Sequence, residues 1–354
     1  IISATPRSLV EGTMWRYLGK RFLISIGTIL GIVVIVFFIV RVLPGDAAVV
    51  RAGPYANPET IQEIRDRYGL SDPIGQQFVT YLSDLARGDM GRSIRTDQPV
   101  TGEVLQRLPA SLELAFYAVL MAILIGVPIG IAAAARPESW VDRSARVFAV
   151  LGSSMALFWL GLLLIYFLFY RLRWFPGPLD RLGVTTTPPE TITGFYTIDA
   201  ALRGQFDVML EAFRYLALPV LTLGFVLAAP ILKMVRASMI RTLASDHVRT
   251  ARSLGIRHRQ IIWKDGFRNA LIPVTTAIGI VFGYMLGGNI IVEFLFSWPG
   301  VGRYAYNAIQ NNDLEALQGF VITVGILYVV LNVIIDMLYA WIDPRIRLGG
   351  KVAT

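Results

Sequence analysis

The sequence predicts an all-α membrane protein with six transmembrane helices and with both termini in the cytoplasm. Three observations support this class. Of the 354 residues, 55% are hydrophobic and only 16% are charged, whereas soluble domains carry about 25% charged residues. The apolar residues lie in six long runs that contain no ionisable side chain. Lys and Arg are concentrated in alternate connecting segments.

Each apolar run is close to the roughly 20 residues that a helix needs to cross a bilayer. The predicted spans are residues 22–40, 114–135, 147–170, 215–232, 269–292 and 316–335. The first run is longer than the apolar core of a signal peptide, which has about 7–15 residues, so we expect it to remain as an anchor. The fourth run is the shortest and contains Pro219 and Pro230, so the sequence defines its ends poorly.

The distribution of Lys and Arg predicts the orientation, because cytoplasmic loops are enriched in these residues. With a cytoplasmic amino terminus, the inside segments hold 19 Lys and Arg in 80 residues, and the outside segments, counted as 41–111, 171–214 and 293–315, hold 14 in 138 residues. The inside segments are the amino-terminal 1–21, the short loop 136–146, the long loop 233–268 and the tail 343–354. The outside loops are 44–111, 171–214 and 293–315, and the permease domain spans 22–342. The net charge of +8 thus reflects topology, and nucleic acid is not an expected partner.

The composition also limits the chemistry of the protein. The chain has no cysteine and two histidines, so disulfides and thiolate metal sites are excluded and a metal centre built from histidines is not expected. A secondary transporter often has inverted repeats and paired charges at the middle of the membrane, and neither pattern is evident. No segment resembles a selectivity filter, and no buried Ser/His pair indicates an intramembrane enzyme.

The first outside loop is predicted to contain two short amphipathic helices. Asn57, Pro58 and Glu59 form a helix-start pattern. Apolar residues then recur at helical spacing, first at Ile61, Ile64 and Tyr68 and later at Phe78, Tyr81, Leu82 and Leu85. These helices would form either a lid on the channel mouth or a docking surface for an external partner. The second outside loop, 171–214, is rich in Pro and Thr and has no clear periodicity.

The loop 233–268 contains a candidate docking helix. Ala251 and Gly255 are four residues apart, which predicts that they share one helical face. Small residues on one face allow a partner surface to approach closely. Nine of the 36 residues in the loop are Lys or Arg, more than orientation alone requires.

The segment Arg249-Thr250-Ala251-Arg252-Ser253-Leu254-Gly255 resembles the coupling loop of bacterial ABC importer permeases. The general pattern of that loop is Glu-Ala-Ala, three residues, then Gly. This chain has Arg249 and Thr250 in the first two places and 17 residues between Gly255 and Pro273. Both departures are similar to the dipeptide/oligopeptide/nickel branch of the family.

Further segments agree with that branch over nearly the whole chain, from Trp15 to Arg347. They are Leu43-Pro44-Gly45-Asp46, Tyr68-Gly69-Leu70-Ser71-Asp72-Pro73, Gly88-Asp89-Met90-Gly91-Arg92-Ser93, Leu218-Pro219-Val220-Leu221-Thr222-Leu223-Gly224, Val292-Glu293-Phe294-Leu295-Phe296, Pro299-Gly300-Val301-Gly302 and Asp343-Pro344-Arg345.

The resemblance implies a type I importer permease fold in a bacterial or archaeal inner membrane. It implies a homologous second permease, one or two P-loop ATPase subunits that use ATP and Mg, and an extracytoplasmic substrate-binding protein. It implies no cofactor bound by this chain. The expected cargo is a di- or oligopeptide, with a nickel chelate or another small solute as alternatives. Contact with the ATPase is expected through Asp246, Arg249, Thr250, Ala251, Arg252, Ser253, Leu254 and Gly255.

Polar and aromatic side chains in the spans are candidate cavity or gate residues. They are Met155, Phe158 and Trp159 in the third span, Glu293 beside the outer end of the fifth, and Asn332 and Asp336 in the sixth. For Glu293 we expect local hydrogen bonding beneath an outer gate. For Asp336 we expect an interhelical hydrogen bond. Glu113, at the start of the second span, is expected to face water at the membrane interface.

Overall fold

The computed structural model describes residues 7–42, 47–52, 56–67, 71–288 and 290–342. Within these ranges the chain consists of helices, connecting turns and one isolated antiparallel bridge between Arg92 and Pro99. The helices are α1 (Arg7–Val42), α2 (Ala47–Ala52), α3 (Pro58–Arg67), α4 (Ile74–Ala86), α5 (Val100–Ala135), α6 (Trp140–Ser154), α7 (Leu157–Leu164), α8 (Tyr196–Leu202), α9 (Phe206–Leu243), α10 (Asp246–Ser253), α11 (His258–Gln260), α12 (Arg268–Gly288), α13 (Ile290–Leu295), α14 (Val301–Gln310) and α15 (Leu314–Ile342). Two π-helical segments, Ile165–Arg171 and Ile261–Phe267, continue α7 and join α11 to α12.

Five helical segments of the described chain are long and apolar enough to cross a membrane. They contain the first, second, fourth and sixth predicted spans, and most of the fifth. Both prolines of the fourth span lie inside α9, which has 38 residues and extends beyond the prediction at both ends. The fifth spanning segment runs from His258 to Met285. The predicted end at residue 292 lies beyond residue 289, which is outside the described ranges, and residues 290–295 are again helical.

The third predicted span is not one continuous helix. Helices α6 and α7 are bent by 105° relative to each other, with the break at Met155 and Ala156. The residues before the break are Gly152, Ser153 and Ser154, a Gly/Ser sequence of the kind at which helices kink. The Ser153 hydroxyl donates to the Ala149 carbonyl oxygen at 2.8 Å, which also favours a bend. The bent pair counts as a sixth span only if both arms cross the membrane as one unit.

The central contact of the bundle joins α5 to α9. Gly126 and Gly130 of α5 lie directly against α9, where an added Cβ would come within 2.9 Å of the Ala228 carbonyl oxygen and 2.8 Å of Val235 Cβ. Small residues at such contacts let helix backbones approach closely, which is how helices associate in lipid. Buried alanines continue the contact along both helices: Ala110, Ala115, Ala118, Ala122, Ala134 and Ala228.

The connection 171–214 is fixed to the first half of α5 by a buried ion pair. Arg181 donates to Glu113 at 2.5 Å and to the Gly194 carbonyl oxygen at 2.7 Å. The Thr197 amide and hydroxyl donate to the second Glu113 oxygen at 2.9 and 2.6 Å. Glu113 is 1% exposed, so the expectation that it faces water was wrong. The acid and its partner are 68 residues apart, and neither lies in a recognisable motif.

Helix α8 in the same connection has a second buried carboxylate in its first turn. Asp199 accepts hydrogen bonds from the backbone N–H groups of Ile192, Thr193 and Gly194 and from the Thr193 hydroxyl. Burial disfavours its charge, but these hydrogen bonds outweigh burial and hold the pKa of Asp199 below its usual value. The connection therefore has a defined conformation despite its lack of periodicity.

The two predicted amphipathic helices are present as α3 and α4. Asn57 caps the first, accepting from the Thr60 amide at 2.8 Å, and Pro58 is the first helical residue. Helix α4 packs on the end of α1 through ring contacts of Phe78 with Phe37 and Phe38. This position fits the lid interpretation, and no residue of α4 is fully buried.

The α5–α9 contact predicts that two glycine substitutions in α5 have different effects on the free energy of unfolding. We expect Gly126→Ala to lower the free energy of unfolding by about 1–3 kcal/mol, because its methyl group overlaps the α9 backbone. Gly102→Ala is the matched control, since nothing lies within 4 Å of its added Cβ. We expect it to be neutral or to stabilise by up to about 1 kcal/mol. Thermal unfolding in detergent measures both, and equal melting temperatures would contradict the assigned packing.

The Glu113–Arg181 pair predicts that removing one charge lowers the free energy of unfolding more than removing both charges does. We expect Arg181→Met to destabilise the protein by about 3–5 kcal/mol, because it leaves Glu113 buried without its countercharge. The double variant with Glu113→Gln should regain part of that loss. Arg203→Met is the control, because the Arg203–Glu190 pair is exposed and such pairs contribute about 0–1 kcal/mol. The same unfolding assay applies, and a stable Arg181→Met variant would refute the prediction.

Candidate coupling and gating sites

The candidate docking segment forms α10, which follows directly from α9. Only Ala244 and Ser245 separate the two helices. Val248 is fully buried in the core that α9 helps to form, while the side chains of Asp246 and Arg249 are 98% and 83% exposed. Helix α10 is therefore attached to the core through a buried valine and presents a polar face to its surroundings.

Gly255 lies just beyond the end of α10. It therefore does not share a helical face with Ala251, contrary to the prediction from their spacing. Its φ is +75°, in the left-handed region that glycine adopts without strain. The Gly255 amide donates to the Arg252 carbonyl oxygen, and the Ile256 amide donates to that of Ala251. These two bonds form a Schellman cap. Ala251 instead packs, half-buried, on the core.

The end of α10 exposes apolar and basic groups together. Leu254 is 74% exposed, and every residue from 252 to 260 is exposed. That stretch contains Arg252, Arg257 and Arg259. Of the eight expected contact residues, seven are exposed, and Ala251 is half-buried. Sequence reasoning missed Ile256, which is also exposed and apolar.

An ion pair that the sequence did not predict joins α6 to α9 near α10. Asp142 is fully buried and accepts from Arg236 Nε at 2.5 Å and from its Nη2 at 2.9 Å. Lys233 Nζ donates to the Ser153 hydroxyl at 2.7 Å. Because the two contacts lie at both ends of α6, this helix is held along the part of α9 that leads to α10.

Glu293 lies at the opposite end of the molecule and is fully buried. It accepts from the Ser111 hydroxyl at 2.6 Å and from the Arg303 amide at 3.0 Å. The Ser111 oxygen in turn accepts from the Val301 amide at 2.8 Å. These bonds join α13, α5 and the start of α14, so Glu293 makes the local hydrogen bonds that the sequence predicted.

The Pro299–Gly302 turn requires its glycines. A Cβ on Gly300 would overlap both Glu293 and Ser111, and one on Gly302 would come within 2.9 Å of Glu293. Farther along α14, the Tyr304 hydroxyl donates to Glu103 at 3.0 Å. Burial, together with the neighbouring Glu103 carboxylate, raises the pKa of Tyr304 above its usual value, so the hydroxyl keeps its proton.

The other candidate cavity residues are not gathered at one place. Met155 is at the α6–α7 break, and Phe158 and Trp159 are about half exposed on α7. Asn332 donates to the Tyr328 carbonyl oxygen within α15, and Asp336 lies one turn farther along. The cavity beside Glu293 measures about 10 Å³ and is lined by none of these five residues. That volume is far too small for a peptide.

Comparison with known proteins gives matches over almost the whole chain. Residues 126–348 match the family model of the binding-protein-dependent transport system inner membrane component, and residues 14–115 match the model of its amino-terminal part. The chain is 41% identical over 338 residues to a probable D,D-dipeptide transport system permease of Escherichia coli, covering 96% of this chain and 99% of the relative.

Two further relatives are similar over the same length. A dipeptide transport system permease of Alkalihalophilus pseudofirmus is 38% identical, covering 94% of this chain and 100% of the relative. A glutathione transport system permease of Escherichia coli is 35% identical, covering 94% of this chain and 99% of the relative. Together with the helical spans and the α10 segment, these matches show that the chain belongs to the family of binding-protein-dependent transport system inner membrane components, the non-catalytic permease subunits of such systems.

Proposed function

We propose that this chain forms half of the channel of an ATP-driven importer for short peptides. It pairs with a homologous second permease and receives its cargo from an extracytoplasmic binding protein. Helix α10 docks on a cytoplasmic P-loop ATPase subunit. The complex contains one or two such subunits, which use ATP and Mg. The observation that carries the proposal is the exposed α10 cap at the end of the uninterrupted helix α9.

The proposed topology has six spans, with α6 and α7 as one broken span and both termini in the cytoplasm. The enrichment of Lys and Arg in 1–21, 136–146, 233–268 and 343–354 supports this orientation. It places α10 with the ATPase and places α3, α4, α8 and α14 on the outside. The outer segments 44–111, 171–214 and 293–315 then face the binding protein.

The named relatives support a peptide cargo, since they are dipeptide and glutathione transport permeases. A nickel chelate or another small solute of the same transporter class is the alternative. The cavity beside Glu293 cannot hold a peptide, so the proposed path runs between two permease subunits. Met155, Phe158 and Trp159 are candidates for its lining because they leave side-chain surface uncovered in the single chain.

In the proposed mechanism, α9 transmits the movement of α10 to the membrane-spanning helices. A helix of 38 residues is about 57 Å long at about 1.5 Å per residue, so it is longer than the bilayer core of about 30 Å. A shift of α10 on closure of the ATPase dimer therefore moves α9 as a rigid element. The Asp142–Arg236 pair carries α6 with it, and the Glu293–Ser111 bonds hold the outer end of α5. ATP then biases a two-state equilibrium between inward- and outward-facing arrangements.

Affinity purification from gently solubilised membranes tests the proposed assembly. We expect a homologous permease and one or two P-loop ATPases to co-purify, identified by mass spectrometry. A co-purifying binding protein, once its bound ligand is identified, distinguishes a peptide from a nickel chelate. Recovery of the chain alone, with uptake still active and insensitive to ATP depletion, would favour a secondary transporter and refute the proposal.

Substitution at the α10 cap tests the coupling role. We expect Gly255→Trp to leave the protein inserted but to reduce ATP-dependent peptide uptake at least tenfold, because the side chain strains the cap and occupies the docking face. Gly204→Trp is the matched control for insertion and for ATP hydrolysis by the complex, since Gly204 also has a positive φ (+70°) and open space around it but lies at the far end of α9; uptake is not compared for it, because it lies in a segment proposed to face the binding protein. Uptake and ATP hydrolysis are measured in proteoliposomes that contain the full complex. Normal uptake by the Gly255 variant would exclude α10 as the coupling element.

A further inference from the structure

A groove on the outer end of the broken span has two arginines and three aromatic residues in its wall. It measures about 590 Å³ and is lined by Phe169, Tyr170, Arg171, Arg173 and Phe175. The groove begins at the end of the α6–α7 spanning unit, whose last residue is Arg171. The next part of the chain contacts the start of α9, where Gly183 donates to Glu211. The groove therefore lies at a membrane boundary, on the side away from α10.

The charge of this groove is uncompensated within the part of the chain that the structure describes. Neither Arg171 nor Arg173 forms an ion pair there, and both are exposed. None of the lining residues is acidic. Arg203, another exposed arginine of the same connection, behaves differently and pairs with Glu190 at 2.6 Å. Arg171 and Arg173 therefore present two positive charges to the groove without a carboxylate of the described chain beside them.

The backbone holds the two arginines in place. Residues 165–171 form a π-helix, a rare structure that occurs mostly at functional sites. Its end is closed by hydrogen bonds from the Leu172 amide to Phe167 and from the Trp174 amide to Leu168. Arg173 has a φ of +56°, which is unfavourable for a side chain of that size.

The aromatic residues around the groove fit the boundary between lipid tails and head groups. The rings of Tyr166 and Tyr170 are stacked at 5.9 Å, and Tyr170 and Trp174 are each 67% exposed. Trp and Tyr are enriched at this depth because one end of the ring system is apolar and the other is polar. Phe169 packs under Gly177, where a Cβ would come within 2.7 Å of the ring, so this wall is rigid.

We propose that the groove binds the phosphate of a phospholipid in the leaflet away from α10, with Arg171 and Arg173 on the phosphate oxygens and the acyl chains along the aromatic face. Guanidinium groups present paired donors that match phosphate oxygens. The bound lipid holds the Arg171 end of the α6–α7 unit in the membrane while the rest of the bundle moves. The site is separate from α10 and from the Glu293 network.

Native mass spectrometry of the complete transporter complex, released from phosphatidylglycerol nanodiscs, tests this proposal. We expect Arg171→Gln with Arg173→Gln to retain at least fivefold less phosphatidylglycerol than the unmodified complex. Arg203→Gln is the control and should retain the normal amount, because that arginine is already paired. Equal lipid retention in all three complexes would overturn the proposal.

Photocrosslinking tests the same groove with both arginines present. A diazirine-labelled phosphatidylglycerol, reconstituted with the unmodified complex, should label peptides that cover residues 165–175. Excess unlabelled phosphatidylglycerol should remove the label. Absence of labelling there overturns the proposal. A photoreactive amino acid introduced at Trp174 provides the opposite test: its crosslinking to a second permease would overturn the proposal, since that subunit would then occupy the groove.

Discussion

Because α5 and α9 meet through glycine and alanine, their backbones approach closely, and most of the other helices are positioned from this pair. In lipid no hydrophobic force draws apolar helices together, so close contact between small residues stabilises the bundle. Helix α9 also packs on α6, α7, α8 and α12, and it leads directly into α10. A distortion at Gly126 or Gly130 would therefore reach both α10 and the opposite end of the bundle.

Buried charges fix the two ends of this helix pair. At one end Glu113 pairs with Arg181, and at the other Asp142 pairs with Arg236. A buried ion pair contributes little net stability, because desolvation offsets most of the attraction, but separating its partners is costly. Such pairs therefore favour one arrangement of the segments that they join. Here they attach the long outer connection to α5 and attach α6 to α9.

The α10 region shows how far motif reasoning extends. The spacing of Ala251 and Gly255 indicated a small-residue docking face, and the segment does form an exposed helix next to α9. In the structure, however, the two residues have different roles. Ala251 packs on the core, and Gly255 terminates the helix with a positive φ. The same residue types satisfy both interpretations, and only backbone geometry distinguishes them.

The sequence by itself determined the class of the protein, the approximate position of most spans and the two outer amphipathic helices. Apolar run length, the distribution of Lys and Arg, and the pattern at Asn57 are local signals that need no knowledge of neighbours. Tertiary structure alone decided the burial of Glu113 and the pairing of Asp142 with Arg236. These depend on side chains 68 and 94 residues distant along the chain. The break at Met155 follows a local Gly/Ser sequence, but the high mean hydropathy of the run concealed it. Hydropathy measures how apolar a segment is, whereas the partner of a charge is set by packing in three dimensions.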